Sequence, residues 1–127
     1  MKRPYNPSYY PPAPTLQIRF AIAETGLSTD DVLGIVDTGA DATIVPIHYL
    51  EQIEAAVEGY GRVRGHWGSA TSVNLYAVDV AVEEIVFPGI LVVGDEEGDE
   101  VILGRDVLNR MRLLLDGLQL QSEVVGY

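Results

Sequence analysis

The sequence predicts an all-β domain with one or two short helices. Three observations carry this. The chain has 127 residues with 47% hydrophobic content, enough for one domain with a real core. Thirteen Gly and seven Pro stand among many Val, Ile, Leu and Tyr residues, the composition of a turn-rich β protein. The apolar residues fall in short alternating or continuous runs, each bounded by turn residues.

Residues 1–14 form a proline-rich arm, with prolines at positions 4, 7, 11, 12 and 14. Proline fixes φ and removes a donor, so the arm is expected to be extended and unable to form regular paired strands. It is either a disordered leader or an ordered arm that buries Tyr5, Tyr9 and Tyr10. The globular domain is expected over residues 15–127. Leu16 to Ile22 alternates as a half-buried strand, and Glu24 to Asp30 is the turn after it. Val32 to Val36 is a strand, and Thr43-Ile44-Val45 a shorter one. After Pro46, residues Ile47, Leu50, Ile53 and Val57 keep helical spacing, which predicts a helix over about 47–57 closed by Gly59 and Gly61.

Residues 62–82 read as a long hairpin whose loop is Gly65-His66-Trp67-Gly68-Ser69-Ala70. A tryptophan between glycines suggests a lid; the plainer reading folds Trp67 onto the core. Glu84 to Val93 is a turn and a buried strand, and Gly94 to Glu100 an acidic, solvated loop. Val101-Ile102-Leu103 is a further apolar run, and Arg105 to Met111 a short helix. Leu113-Leu114-Leu115, a turn at Asp116-Gly117 and Leu118-Gln119-Leu120 predict a terminal hairpin.

Several functions are disfavoured. A net charge of −11 argues against nucleic-acid phosphates and anionic membranes as partners. The chain lacks cysteine, which excludes disulfides and thiolate metal sites. His48 and His66 are too few to build a zinc site, and no metal or cofactor is expected. The start has no apolar stretch after its basic residues, and no segment reaches the roughly 18 apolar residues of a membrane span. A cytoplasmic protein is expected.

The chemistry-bearing stretch is Gly34 to Val45, in which an apolar run drives into Asp37-Thr38-Gly39-Ala40-Asp41 and a second apolar run follows. A carboxylate between buried runs needs partners or a task. By itself the stretch could be a turn in which the Asp caps its own backbone. Further along, Val101-Ile102-Leu103-Gly104-Arg105-Asp106 opens a helix.

These two motifs, with a glycine-flanked hairpin between them, resemble the retroviral-type aspartic proteases (retropepsins) and their bacterial single-domain relatives, from about Leu16 to Leu120. The resemblance implies a closed β-barrel-like acid-protease fold. It implies peptide hydrolysis by two aspartates, one a general base on water and the other a proton donor. Asp37 would be the catalytic carboxylate in an active-site loop with Thr38, Gly39 and Ala40. Thr38 would bond across a dimer, and Gly39 would offer its carbonyl to substrate. Asp41 would contact substrate and pair with Arg105. Gly65, His66, Trp67 and Gly68 would form the flap, although the family's flap tip is usually richer in glycine. The chain has a single Asp-Thr-Gly, so the second aspartate would come from another copy in a symmetric homodimer. The substrate would be an extended polypeptide, with Ile35, Val45, Trp67 and Ile90 as pocket walls. Two other readings remain open: a non-catalytic, dimerising peptide-binding module with this fold, and an unrelated monomeric barrel with Asp37 in a structural turn.

Overall fold

The computed structural model describes residues 1–64 and 68–127. Gly65, His66 and Trp67, three of the four expected flap residues, lie outside the described residues. The strands are β1 (Lys2–Pro4), β2 (Thr15–Ile22), β3 (Leu27–Ser28), β4 (Val32–Val36), β5 (Ile44–Pro46), β6 (Val57–Arg64), β7 (Ala70–Val82), β8 (Ile85–Asp95), β9 (Val101–Leu103), β10 (Arg112–Asp116) and β11 (Gln121–Gly126). Two short helices, α1 (Ile47–Gln52) and α2 (Arg105–Leu108), follow β5 and β9.

Strands β2, β4, β9, β5, β8 and β7 are bonded in that order, and β7 returns to β2. The result is a closed six-stranded barrel, the fold that the resemblance implies. Closure removes the open edges that would otherwise invite pairing with other chains. Strand alternation fills the interior. On β2, Leu16, Ile18 and Phe20 point inward while Gln17 and Arg19 do not. On β7, Tyr76, Val78, Val80 and Val82 do the same. They meet Val92, Val101, Leu103 and Val107, and each such side chain contributes about 1.5–3 kcal/mol on burial.

Strand β8 is longer than its sequence suggests, because a bulge lets it absorb Pro88. Val78 pairs with Ile90 but Val80 with Phe87, which leaves one extra residue on β8. Gly89 takes φ 65° there, and its N–H donates to Asp79 Oδ1 at 3.1 Å.

Helix α1 is shorter than expected, and the two glycines assigned to close it lie in β6 instead. Its end is made by Glu54, which takes φ 56°. The Glu54 N–H donates to Glu51 O at 3.1 Å and the Ala55 N–H to Leu50 O at 3.0 Å, a Schellman cap built without glycine. The terminal hairpin also differs from expectation. Asp116 Oδ1 accepts the Gln119 N–H at 3.1 Å and draws residues 117–120 into a wider turn. The second strand therefore starts at Gln121, and Leu118 is 96% exposed.

The arm departs most from expectation. Lys2–Pro4 pairs in regular antiparallel register with Glu123–Gln121, giving a three-stranded sheet in the order β1, β11, β10. Pro4 is tolerated because β1 is an edge strand. The arm is also clamped by charge. Arg3 Nε and Nη2 reach Glu83 Oε1 and Oε2 at 2.8 and 3.2 Å, and Nη2 also bonds Gln17 Oε1. The two side chains are only 20% and 14% exposed. Burial pushes the Glu83 carboxyl up, but hydrogen bonds from Arg3 and the Gln17 N–H, with the Arg3 charge, hold it below its usual range. Farther along the arm, the Tyr9 hydroxyl donates to Glu100 at 2.8 Å. Among the described residues, no helix is long and apolar enough to cross a membrane.

Candidate active site

Strand β4 delivers Asp37 to the end of the barrel. The Val36 N–H donates to Pro14 O at 3.0 Å, and the Asp37 N–H to Leu103 O at 3.1 Å. The chain then turns tightly: the Ala40 N–H donates to Asp37 O at 3.2 Å, and the Gly39 N–H to Asp37 Oδ1 at 2.9 Å. This is the self-capping Asp turn that local sequence chemistry favours. Asp37 is half-buried, and Thr38, Gly39 and Asp41 are exposed.

A tight exposed turn leaves carbonyls without partners unless something reaches them. Arg105 supplies two bonds. Its N–H donates to Ala40 O at 2.8 Å, and its guanidinium Nη1 donates to Thr38 O at 2.7 Å. The structure thus brings Arg105 to Thr38 and not to Asp41; among the described residues, Asp41 and Arg105 form no ion pair. A main-chain carbonyl held in place by the turn is the better acceptor, because an exposed carboxylate gains little by pairing.

Two residues outside the predicted site complete the junction. Asp106 Oδ2 accepts the Thr43 N–H at 3.0 Å, and its Oδ1 accepts the Thr43 hydroxyl at 2.7 Å. The Thr43 Oγ1 in turn accepts the Gly104 N–H at 3.1 Å. The signal for them was a hydroxyl opening the apolar run Ile44-Val45 and a carboxylate straight after Gly104-Arg105. Gly104 is required by contact: a Cβ there would lie 2.5 Å from both C and O of Ala42.

Beyond a register shift between Val57 and Gly59, the long hairpin of β6 and β7 pairs regularly from Gly59–Leu75 to Arg64–Ala70, next to the expected flap. Gly68, the remaining flap residue, takes φ 87°, and its carbonyl accepts from Arg64 Nη1 at 3.4 Å. A cavity of about 530 Å³ opens between this hairpin, β5 and the acidic loop, lined by Ile44, Ile47, Val73, Asn74, Val93 and Asp95 among others. The expected pocket walls fare differently. Val45 and Ile90 are buried in the core, Ile35 does not line the cavity, and Trp67 is outside the described residues. Alternation explains the first: Ile44 and Val45 face opposite sides of β5, so only one of them can line a cavity.

A comparison with curated proteins found no match. One protein family, described as "gag-polyprotein putative aspartyl protease", matches residues 17–110, from β2 through α2, so that both the Asp37 turn and the Arg105 segment fall inside it. The chain therefore belongs to this family of retropepsin-like aspartyl proteases.

Proposed function

We propose that the protein is an aspartic endopeptidase that works as a homodimer, with Asp37 and the partner's Asp37 meeting on the two-fold axis. The observation that carries this reading is an exposed Asp-Thr-Gly turn whose backbone is tied down from outside by Arg105 and Leu103. A loop with only a structural task would gain little from such fixing, whereas a general base must be held to a fraction of an ångström.

Two aspartates at close range share one proton, since both cannot carry charge together. The ionised one takes a proton from water as the water oxygen attacks the peptide carbonyl carbon. The protonated one gives its proton to the carbonyl oxygen, forming a neutral gem-diol. Collapse breaks the C–N bond, and a proton passes to the leaving amine. The cavity beneath the β6–β7 hairpin would take substrate side chains, and the hairpin would close over an extended peptide.

A peptide-library digestion with wild type and Asp37→Asn tests this, with light scattering on both. Cleavage by wild type alone, with both proteins dimeric, is the expected result. Equal cleavage by the variant would overturn it. Peptide binding without cleavage by wild type would favour the non-catalytic dimeric module.

A further inference from the structure

We infer that the cavity beneath the β6–β7 hairpin is a specificity pocket for a long cationic side chain, lysine or arginine, of the peptide substrate. This rests on the proteolytic reading proposed above. One wall of the cavity is the acidic loop after β8, which the sequence presents as merely solvated. Strand β8 ends at Asp95, whose Oδ1 accepts the Glu97 and Gly98 N–H groups, each at 3.0 Å, so the chain turns there. At the far end of the loop, Glu100 Oε2 accepts the Tyr9 hydroxyl at 2.8 Å. The loop is thus held at both ends, and Asp95, Glu96 and Glu97 line one side of the cavity of about 530 Å³.

Carboxylates on an exposed loop would mean little alone, because water serves them well. Here they stand over apolar surface. Ile44 and Ile47 are half-buried, and with Val93 they form the floor. Among the described residues no lysine, arginine or histidine lines the cavity, and none of the three carboxylates is in an ion pair. The volume lies in the usual range of ligand pockets, roughly 300–1,000 Å³. A lysine or arginine side chain matches this division: its methylene stem covers apolar surface while its charged head stays with polar partners. A purely apolar side chain would fit the floor, but the closing hairpin would then strip water from carboxylates that gain nothing in return. A glutamate would add like charge. The sheet also puts the pocket near the chemistry. Strand β9 lies between β4 and β5, pairing Ile102 with Ile44 and taking the Asp37 N–H on Leu103 O.

The test is calorimetric binding at pH 7 to the full chain carrying Asp37→Asn, so that nothing is turned over. The probes are short extended peptides in which lysine, arginine, norleucine or glutamate is moved through each position in turn; norleucine is the lysine stem without its charge. At one position lysine and arginine should bind about tenfold tighter than norleucine, since each exposed charge pair gives only a severalfold gain, and glutamate should bind weakest. Adding Glu96→Gln and Glu97→Gln should bring lysine to within about twofold of norleucine. Asp95 is left in place because it holds the turn. Glu24→Gln with Glu84→Gln removes the same charge from exposed sites that do not line the cavity, and should keep the full preference. About 0.5 M salt should shrink it. Norleucine binding as tightly as lysine at every position would overturn the inference. So would a preference that survives Glu96→Gln/Glu97→Gln, one lost equally in the Glu24→Gln/Glu84→Gln control, or no binding of any cationic peptide. If wild type cleaves nothing, the proposed function falls, while the same binding series still decides what the pocket takes.

Discussion

The guanidinium of Arg105 donates to the main-chain oxygen of Thr38 at 2.7 Å, across 67 residues of sequence. This bond fixes the residue directly after the candidate catalytic aspartate. Lysine can place one charge near that oxygen but not from the same rigid planar fork. Arg105→Lys is expected to cost about tenfold in kcat/KM and Arg105→Ala about 100-fold, with unfolding midpoints close to wild type. Steady-state kinetics alongside thermal melts would check this, and a wild-type rate for Arg105→Ala would remove Arg105 from the site.

Gly104→Ala should be far more damaging to the fold. Its Cβ would meet main-chain atoms of Ala42 at 2.5 Å, and backbone cannot step aside as a side-chain tip can. We expect a loss of about 2–4 kcal/mol in urea unfolding. A loss under 1 kcal/mol would show that the junction relaxes more easily than its contacts imply.

The Arg3–Glu83 clamp predicts a pH dependence of stability. Glu83 sits below its usual range in the folded chain, so the unfolded chain binds its proton more readily. Its contribution is full above about pH 4–5, the ordinary glutamate range, and disappears as pH falls through the lower folded value. Arg3 is shifted upward by the Glu83 hydrogen bond, so its own contribution would be lost only in strong alkali. Melting temperatures at pH 7 and pH 3 should therefore converge between wild type and Glu83→Gln at the lower pH. An equal gap at both would exclude this clamp as the cause.

Glu54 closes α1 at φ 56°, a conformation that costs an L-residue more than glycine. Glu54→Gly should stabilise the protein by about 0.5–1 kcal/mol, the relief less the entropy that glycine loses. A lower melting temperature in that variant would contradict it.

Thr15 is 1% exposed, and among the described residues its hydroxyl has no hydrogen-bond partner. An unmet buried hydroxyl carries a desolvation penalty, which a methyl of the same shape removes. Thr15→Val is expected to gain about 1 kcal/mol in chemical denaturation.

Much of this architecture is legible in the chain. The alternation of Leu16, Ile18 and Phe20, and of Tyr76, Val78 and Val80, predicts strands because local spacing alone sets which face is buried. The Asp37 turn is equally local, since the carboxylate bonds an amide two residues on. The helix end at Glu54 was not legible, because its positive φ falls on a residue that rarely adopts one, whereas Gly59 and Gly61 advertised an end that they do not make.

By itself, then, the sequence determined the β class, the inward faces of the strands, the acidic character and the turn that presents Asp37. Each depends on neighbours in the chain. The tertiary structure alone decided the partners: Arg105 with Thr38 and not Asp41, Asp106 with Thr43, and Arg3 with Glu83. These bonds span 63 to 80 residues, and periodicity and composition carry no information on which distant donor meets which carbonyl. Barrel closure settles that, because pairing β4 with β9 parallel places Val36 beside Leu103 and so brings Gly104 and Arg105 against the Asp37 turn.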